Sequence, residues 1–78
     1  MNYKSVKRKK LVRYIDSMGF ESRGGSKHEK FCIEIGDKTY TLTIPRSKTL
    51  SPGLVDQVSK TLVNNCGFDK NDVINNLK

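Results

Sequence analysis

The chain has 78 residues, of which 15 are Lys or Arg and eight are Asp or Glu, so its formal net charge is +7. This length excludes two independently folded domains, and we expect one domain over residues 1–78. No apolar run approaches the roughly 20 residues that cross a bilayer, and the charged N-terminus lacks the apolar stretch of a signal peptide. We therefore expect a soluble, cytoplasmic protein with no membrane association.

The two cysteines, Cys32 and Cys66, are far apart in the sequence and form no CxxC pair. Together with the single histidine they cannot complete a conventional zinc site, so we expect no metal and no cofactor. Without a secretory context, the better interpretation is two reduced thiols.

The positive charge is concentrated in the first 30 residues, which hold nine basic and three acidic side chains, whereas residues 31–78 hold six and five. A basic patch of this kind neutralises phosphates and releases counterions, which favours nucleic-acid binding. A solvated basic helix face that aids solubility is the alternative. An anionic membrane is a weaker third option, because the basic helix lacks bulky aromatic residues for insertion.

The first predicted helix spans about residues 5–18 and ends at Gly19, where a left-handed backbone is needed. Its apolar stripe follows helical spacing and consists of Leu11, Ile15 and Met18. A short extended segment, Phe20 to Arg23, follows it, and Gly24-Gly25-Ser26 then breaks the chain.

The clearest pattern is a predicted β-hairpin. Apolar and polar residues alternate on both sides of Gly36-Asp37, a dipeptide that suits a type II′ turn. The side chains expected to be buried under helices are Phe31, Ile33, Ile35, Tyr40, Leu42 and Ile44. Those expected on the solvated face are Cys32, Glu34, Thr39, Thr41 and Thr43. Pro45 ends the second strand because it has no amide proton for the ladder.

Two more helices are predicted after a loop over residues 46–50. Ser51-Pro52 is a typical N-cap and N1 pair, and the helix that it starts closes on Cys66-Gly67. The apolar positions of that helix are Leu54 or Val55, Val58 and Leu62. Asp69 is the predicted N-cap of a short last helix, whose apolar positions are Val73, Ile74 and Leu77.

The predicted fold class is α+β, in the order α-β-β-β-α with a short C-terminal helix. A three-stranded antiparallel sheet with the helices on one face is the arrangement of double-stranded-RNA-binding domains, which recognise RNA through its shape and backbone. Architecture by itself is only an analogy and does not establish function.

Candidate chemistry lies in segment 23–31, which combines three cations, two glycines and the only histidine. Cleaving RNA without a metal requires removal of the 2′-hydroxyl proton, protonation of the leaving 5′-oxygen and stabilisation of the phosphorane. His28 can serve one of the first two roles, because imidazoles transfer protons near neutral pH. The cations that can serve the third role are Arg23, Lys27 and Lys30. An ordinary surface histidine beside a glycine turn is the commoner alternative.

Four segments in register carry a family resemblance. The histidine segment is GGSKHEKF, and the first helix is KLVRYIDSMGFE, which ends in Gly and an aromatic residue. A strand, proline, basic loop and helix follow in LTIPRSKTLSPGLVDQVSK, and the closing helix lies in NNCGFDKNDVINNL. Over residues 8–77 the chain thus resembles the HicA-type (YcfA-like) mRNA interferases, the toxins of HicAB toxin–antitoxin systems.

The resemblance implies a double-stranded-RNA-binding-like fold, translation-independent mRNA cleavage without a metal, and a HicB-type antitoxin that covers the active face. His28 matches the catalytic histidine of the family, and Gly25 and Ser26 match the small residues before it. Many members place the small residue directly before the histidine, whereas Lys27 intervenes here.

The candidate RNA contacts extend beyond the histidine segment to the first helix and to the loop before the second helix. The complete set is Arg23, Gly25, Ser26, Lys27, Lys30, Lys7, Lys10, Arg46 and Lys48. Solvated loop charges are the alternative for the last two. A non-catalytic RNA-binding module, in which His28 only contacts RNA, is the second functional hypothesis, and a protein-binding adaptor is the third.

Overall fold

The computed structural model describes residues 3–77 and has the expected α+β composition, with a three-stranded antiparallel sheet and three helices. The elements, in chain order, are β1 (Val6–Lys7), α1 (Arg8–Ser17), β2 (Glu21–Gly24), β3 (His28–Ile35), β4 (Lys38–Pro45), β5 (Thr49–Leu50), α2 (Pro52–Lys60) and α3 (Lys70–Leu77). A π-helical turn, Thr61–Asn65, continues α2. None of the helices in the described residues is long and apolar enough to span a membrane.

The main sheet has the strand order β2-β3-β4, and all its pairs are antiparallel. Phe31 lies opposite Leu42, and His28 lies opposite Pro45 at the far end of the hairpin. Gly36 has a φ of +62°, and no non-glycine residue described has a positive φ. A type I′ turn would need positive φ at Asp37 as well, so the predicted type II′ turn is confirmed.

The prediction of a helix that begins at Ser5 is wrong at its start. Val6 and Lys7 are extended and pair with Leu50 and Thr49 in a two-stranded sheet. Val6 is buried in this arrangement, and the backbone N–H of Arg8 donates to the carbonyl of Lys48 over 2.8 Å. Because Val6 is buried against a distant strand, α1 begins three residues later than predicted. The same pairing makes Thr49 and Leu50, part of the predicted 46–50 loop, a strand.

One hydrophobic core lies between the sheet and the helices. Its largest fully buried side chains are Phe20, Leu11, Ile15, Ile44, Leu50, Leu62, Leu77, Val55 and Val73. The predicted inner face of the hairpin is confirmed for Phe31, Leu42 and Ile44. Ile35 departs from the prediction, since it is 36% exposed beside the hairpin turn, at the end of the sheet.

Local capping confirms the predicted helix starts in the second half of the chain. The Ser51 hydroxyl accepts the N–H of Leu54 over 3.3 Å, and Pro52 is the first helical residue. The Asp69 carboxylate accepts the N–H of Asn71 over 3.2 Å and caps α3. The segment between β4 and α2, which holds Arg46 and Lys48, starts at the end of the sheet where His28 lies opposite Pro45.

Candidate functional site

The loop between β2 and β3 depends on a glycine at position 25. Gly24 and Gly25 have φ values of +78° and +129°. A Cβ atom built on Gly25 would lie 2.0 Å from the carbonyl oxygen of His28, closer than any real contact allows, whereas one on Gly24 would meet no atom within 4 Å. The loop therefore folds back against the first residue of β3, and only glycine allows that approach.

His28 is the first residue of β3 and is exposed. Side chains alternate along a strand, so His28 and Lys30 belong to the face opposite the one that buries Phe31. The imidazole therefore lies at the end of the open face of the sheet, where a large ligand can reach it.

Glu29, the next residue, belongs to the helix-facing side, and its side chain is only 17% exposed. One carboxylate oxygen lies 2.5 Å from the Arg8 guanidinium and 3.7 Å from that of Arg46, and the Ser22 hydroxyl donates to the other. The hydrogen bond from Ser22, followed by that from Arg8, lowers the pKa of Glu29 below its ordinary value. A nearly buried charge is thus paired from three separate segments.

Arg46 joins the β2–β3 loop, residues 24–27, called here the glycine loop, to the end of β4. Its Nε donates to the carbonyl of Gly25 over 2.9 Å, and its backbone N–H donates to the carbonyl of Lys27 over 3.3 Å. On the other side of Glu29, the Nε of Arg8 donates to the carbonyl of Pro45 over 2.9 Å. The start of α1, the glycine loop, β3 and the end of β4 are therefore held together around one carboxylate.

The low pKa of Glu29 makes a prediction for acid stability. A carboxyl group whose pKa is lowered by folding contributes its full stabilisation above its unfolded pKa, about 4.3, and loses it as the pH falls through the folded value. We expect the difference in melting temperature between wild type and Glu29→Gln to be constant near neutral pH and to shrink below about pH 4.3. Thermal melts from pH 3 to pH 7 measure this, with Glu34→Gln, at an exposed position of the same strand, as the control. A difference that does not change with pH would contradict the assignment.

Three of the predicted RNA-contacting lysines lie at the same end of the molecule as His28. Lys7 lies opposite Thr49 in the small sheet, next to Lys48, whose carbonyl accepts the N–H of Arg8. Lys27 is tied to Arg46 through its own carbonyl. The backbone thus brings Lys48 to the same end as Lys27 and the exposed Ser26 of the glycine loop, while Lys7 lies in the adjoining small sheet.

Lys10 lines a neighbouring groove between α1 and the end of α3. The groove has a volume of about 430 Å³ and is lined by Lys7, Lys9, Lys10, Arg13, Tyr14, Ser17 and Asn76. The Tyr14 hydroxyl donates to Asp72 over 2.8 Å and so links α1 to α3, and burial, followed by this bond, raises the pKa of Tyr14. Lys9 and Arg13 extend the cationic surface beyond the residues predicted from sequence.

The structure places Arg23 and Lys30 on the open face of the sheet. Arg23 lines a depression of about 350 Å³ together with Glu21, Cys32 and Glu34. It is therefore surrounded by carboxylates rather than by the lysines of the glycine-loop end. Cys32 and Cys66 are both free, and in the described part of the chain no three His, Cys, Asp or Glu side chains are grouped to hold a metal ion.

Sequence reasoning missed Arg8, Ser22 and Glu29 as one cluster. The sequence did indicate the position of Glu29: it is two residues before Phe31 in the same strand, so its side chain should lie on the face that packs against the helices. A carboxylate on the inner face needs a cationic partner. Which cation would reach it could not be read from spacing, since Arg8 and Glu29 are 21 positions apart.

Comparisons with protein-family models, with curated proteins and with solved structures find no match for this chain. The chemical groups available at this end of the sheet are exposed ammonium groups and one exposed imidazole. Lysines at an exposed end can contact a phosphate chain, and one exposed imidazole lies among them.

Proposed function

We propose that the chain is a metal-independent endoribonuclease of the HicA type, the toxin component of a type II toxin–antitoxin system, which cuts mRNA in the cytoplasm. The observation that carries the proposal is the exposed His28 at the foot of a tightly folded glycine loop, with exposed Lys27 and Lys30 beside it in the chain. Lys27 and Lys48 lie at this end of the sheet and can contact the phosphates that flank the cut.

The proposed step is transesterification at one phosphodiester. The 2′-oxygen attacks the phosphorus, loses its proton and forms a 2′,3′-cyclic phosphate, while the bond to the 5′-oxygen breaks and that oxygen gains a proton. Neutral His28 takes the first proton while solvent water supplies the second, or protonated His28 supplies the second while solvent water takes the first. Lys27 and Lys30 stabilise the charge that develops on the phosphorane oxygens.

A double-stranded-RNA-binding-like fold is part of the proposal. The antiparallel order β2-β3-β4 and the helices packed on one face support it. In this arrangement the β2–β3 loop, the start of α1 and the segment before α2 meet at one end, so a single RNA backbone can contact all three.

Incubation of the purified protein with a transcript tests the proposal directly. We expect cleavage with and without EDTA, because the sequence offers no metal-ligand constellation, and we expect 5′-hydroxyl ends. Cleavage that vanishes with chelator and returns with magnesium would overturn the single-histidine mechanism. An intact transcript would favour the second hypothesis, a non-catalytic RNA-binding module, since the cations alone account for affinity.

RNA affinity should depend steeply on salt. In a His28→Ala background, which allows binding to be measured without cleavage, the slope of log affinity against log salt should be negative. Changing Lys27 and Lys30 to Gln should flatten that slope by roughly 0.7–0.9 for each phosphate that the variant no longer neutralises. Lys60→Gln, on the exposed part of α2, is the control and should leave the slope unchanged. An unaltered slope in the Lys27/Lys30 variant would show that RNA binds to a different surface.

The proposed partner is a HicB-type antitoxin with an acidic surface. The open face of the sheet shows polar and small side chains that this chain does not bury, and Thr39, Thr41 and Thr43 are exposed on it. A partner that covers this face and the His28 end would block RNA, and opposite charge would speed the encounter. Displacement of labelled RNA by the partner tests occlusion, and RNA that stays bound at saturating partner would argue for inhibition at a distance.

A further inference from the structure

Two cations in the segment between β4 and α2 differ in their bonding. Arg46 bonds to the glycine loop and to Glu29, whereas the side chain of Lys48 is exposed and makes no hydrogen bond or ion pair with residues 3–77. We propose that Arg46 is a positioning residue that holds the glycine loop and thereby His28, and that Lys48 is the residue of this segment that binds phosphate. The consequence for catalysis rests on the function proposed above.

The glycine loop has few other restraints. Gly24 and Gly25 carry no side chain that could pack, and both they and Lys27 lie near the surface. Outside the strand pairing, the loop is tied by the Gly24 N–H, which donates to the Ser22 hydroxyl over 3.2 Å, and by the two bonds from Arg46. Two glycines lose much conformational entropy when they are ordered, so the bonds from Arg46 are needed to hold one conformation.

The guanidinium geometry makes Arg46 specific for this task. Nε reaches the Gly25 carbonyl while Nη1 lies 3.7 Å from the Glu29 carboxylate, so the planar group links the loop to the one carboxylate of the cluster. A lysine ammonium carries the same charge on a single nitrogen and cannot span both acceptors with the fixed spacing of a guanidinium. Arg46→Lys therefore keeps the charge that a phosphate would sense and the backbone bond to Lys27, and removes the side-chain bond to Gly25.

The two roles lead to opposite expectations for two single variants. Arg46→Lys should leave KM for RNA and the salt slope of binding unchanged and should lower kcat by about tenfold to a hundredfold, because the imidazole is misplaced. Lys48→Gln should lower the affinity for RNA, and so raise KM, and should flatten the salt slope by roughly 0.7–0.9. Salt slopes are measured in the His28→Ala background.

A readout that needs no RNA cleavage separates this proposal from the proposed function. By NMR on the intact protein, the amides of Gly24 and residue 46 should exchange about tenfold faster in Arg46→Lys than in wild type, and should not change in Lys48→Gln. The ring resonances of the histidine, the only one in the sequence, should shift in Arg46→Lys and stay unchanged in Lys48→Gln. Glu29→Gln should change the loop in the same direction by a smaller amount, because it loosens Arg46 without removing it.

Each outcome bears on the positioning role. Faster loop exchange with a shifted histidine signal supports it, even if the wild-type protein cuts no RNA, in which case only the proposed function fails. Unchanged exchange and histidine signals in both Arg46→Lys and Glu29→Gln overturn it. A flattened salt slope in Arg46→Lys with an unaltered loop also overturns it, because Arg46 would then bind phosphate directly.

Discussion

Replacing His28 with alanine should abolish RNA cleavage and growth arrest while the fold remains intact. A positioned acid or base contributes about a hundredfold to ten-thousandfold to rate, and the chain has no second histidine to take over. His28 is exposed at the start of β3, so truncation of its side chain should change the free energy of unfolding by no more than about 0.5 kcal/mol.

Cleavage of a purified transcript, growth after induced expression and a thermal melt measure the three parts of this expectation. Lys60→Ala, remote on α2, is the control and should retain both cleavage and toxicity. A His28→Ala protein that is folded and still toxic would contradict the catalytic assignment. An unfolded His28→Ala protein would contradict the exposed position of the side chain.

Replacing Gly25 with alanine should have the largest structural effect of any single methyl group added to the loop. The added carbon would lie 2.0 Å from the His28 carbonyl oxygen, and the φ of +129° is one that L side chains rarely adopt. The steric overlap and the unfavourable φ together should lower the free energy of unfolding by about 2–4 kcal/mol or force the loop into a new conformation. Either result displaces His28, so RNA cleavage should fall with it.

Gly24→Ala is the matched control because it adds the same methyl group one position earlier. Its φ of +78° is also positive, but no atom lies within 4 Å of the added carbon. Gly24→Ala should lower the free energy of unfolding only by the cost of placing an L residue in the left-handed conformation, about 1–2 kcal/mol. Denaturant unfolding and RNA cleavage of the two variants provide the comparison. Equal effects at both positions would show that the close approach of Gly25 to His28 does not restrain the loop.

The Glu29 cluster connects these expectations. Gly25 permits the loop to approach β3, and Arg46 holds it there from β4. Glu29 fixes Arg46 and Arg8 in turn. We therefore expect a side chain on the buried face of β3 to influence the position of the neighbouring His28 on the open face, through residues that touch no ligand in the proposed mechanism.

The sequence by itself determined the elements whose causes are local. The period-2 alternation predicts the hairpin. A type II′ turn requires a positive φ at its first central residue only, and Gly36 provides it. The caps at Ser51 and Asp69 accept amides two or three positions away, so a short stretch of sequence is enough to predict where α2 and α3 begin. The exposure of His28 also follows from its place at the strand start.

Only the tertiary structure decided how the candidate site is assembled. Arg8 was predicted inside a basic helix, but the pairing of Val6 with Leu50 moves the helix start to Arg8, which then bonds to Pro45, 37 positions away. Arg46 reaches Gly25 across 21 positions. Such pairings depend on which segments the common core brings together, and residue spacing carries no information about them, because the partners share no period, turn or cap.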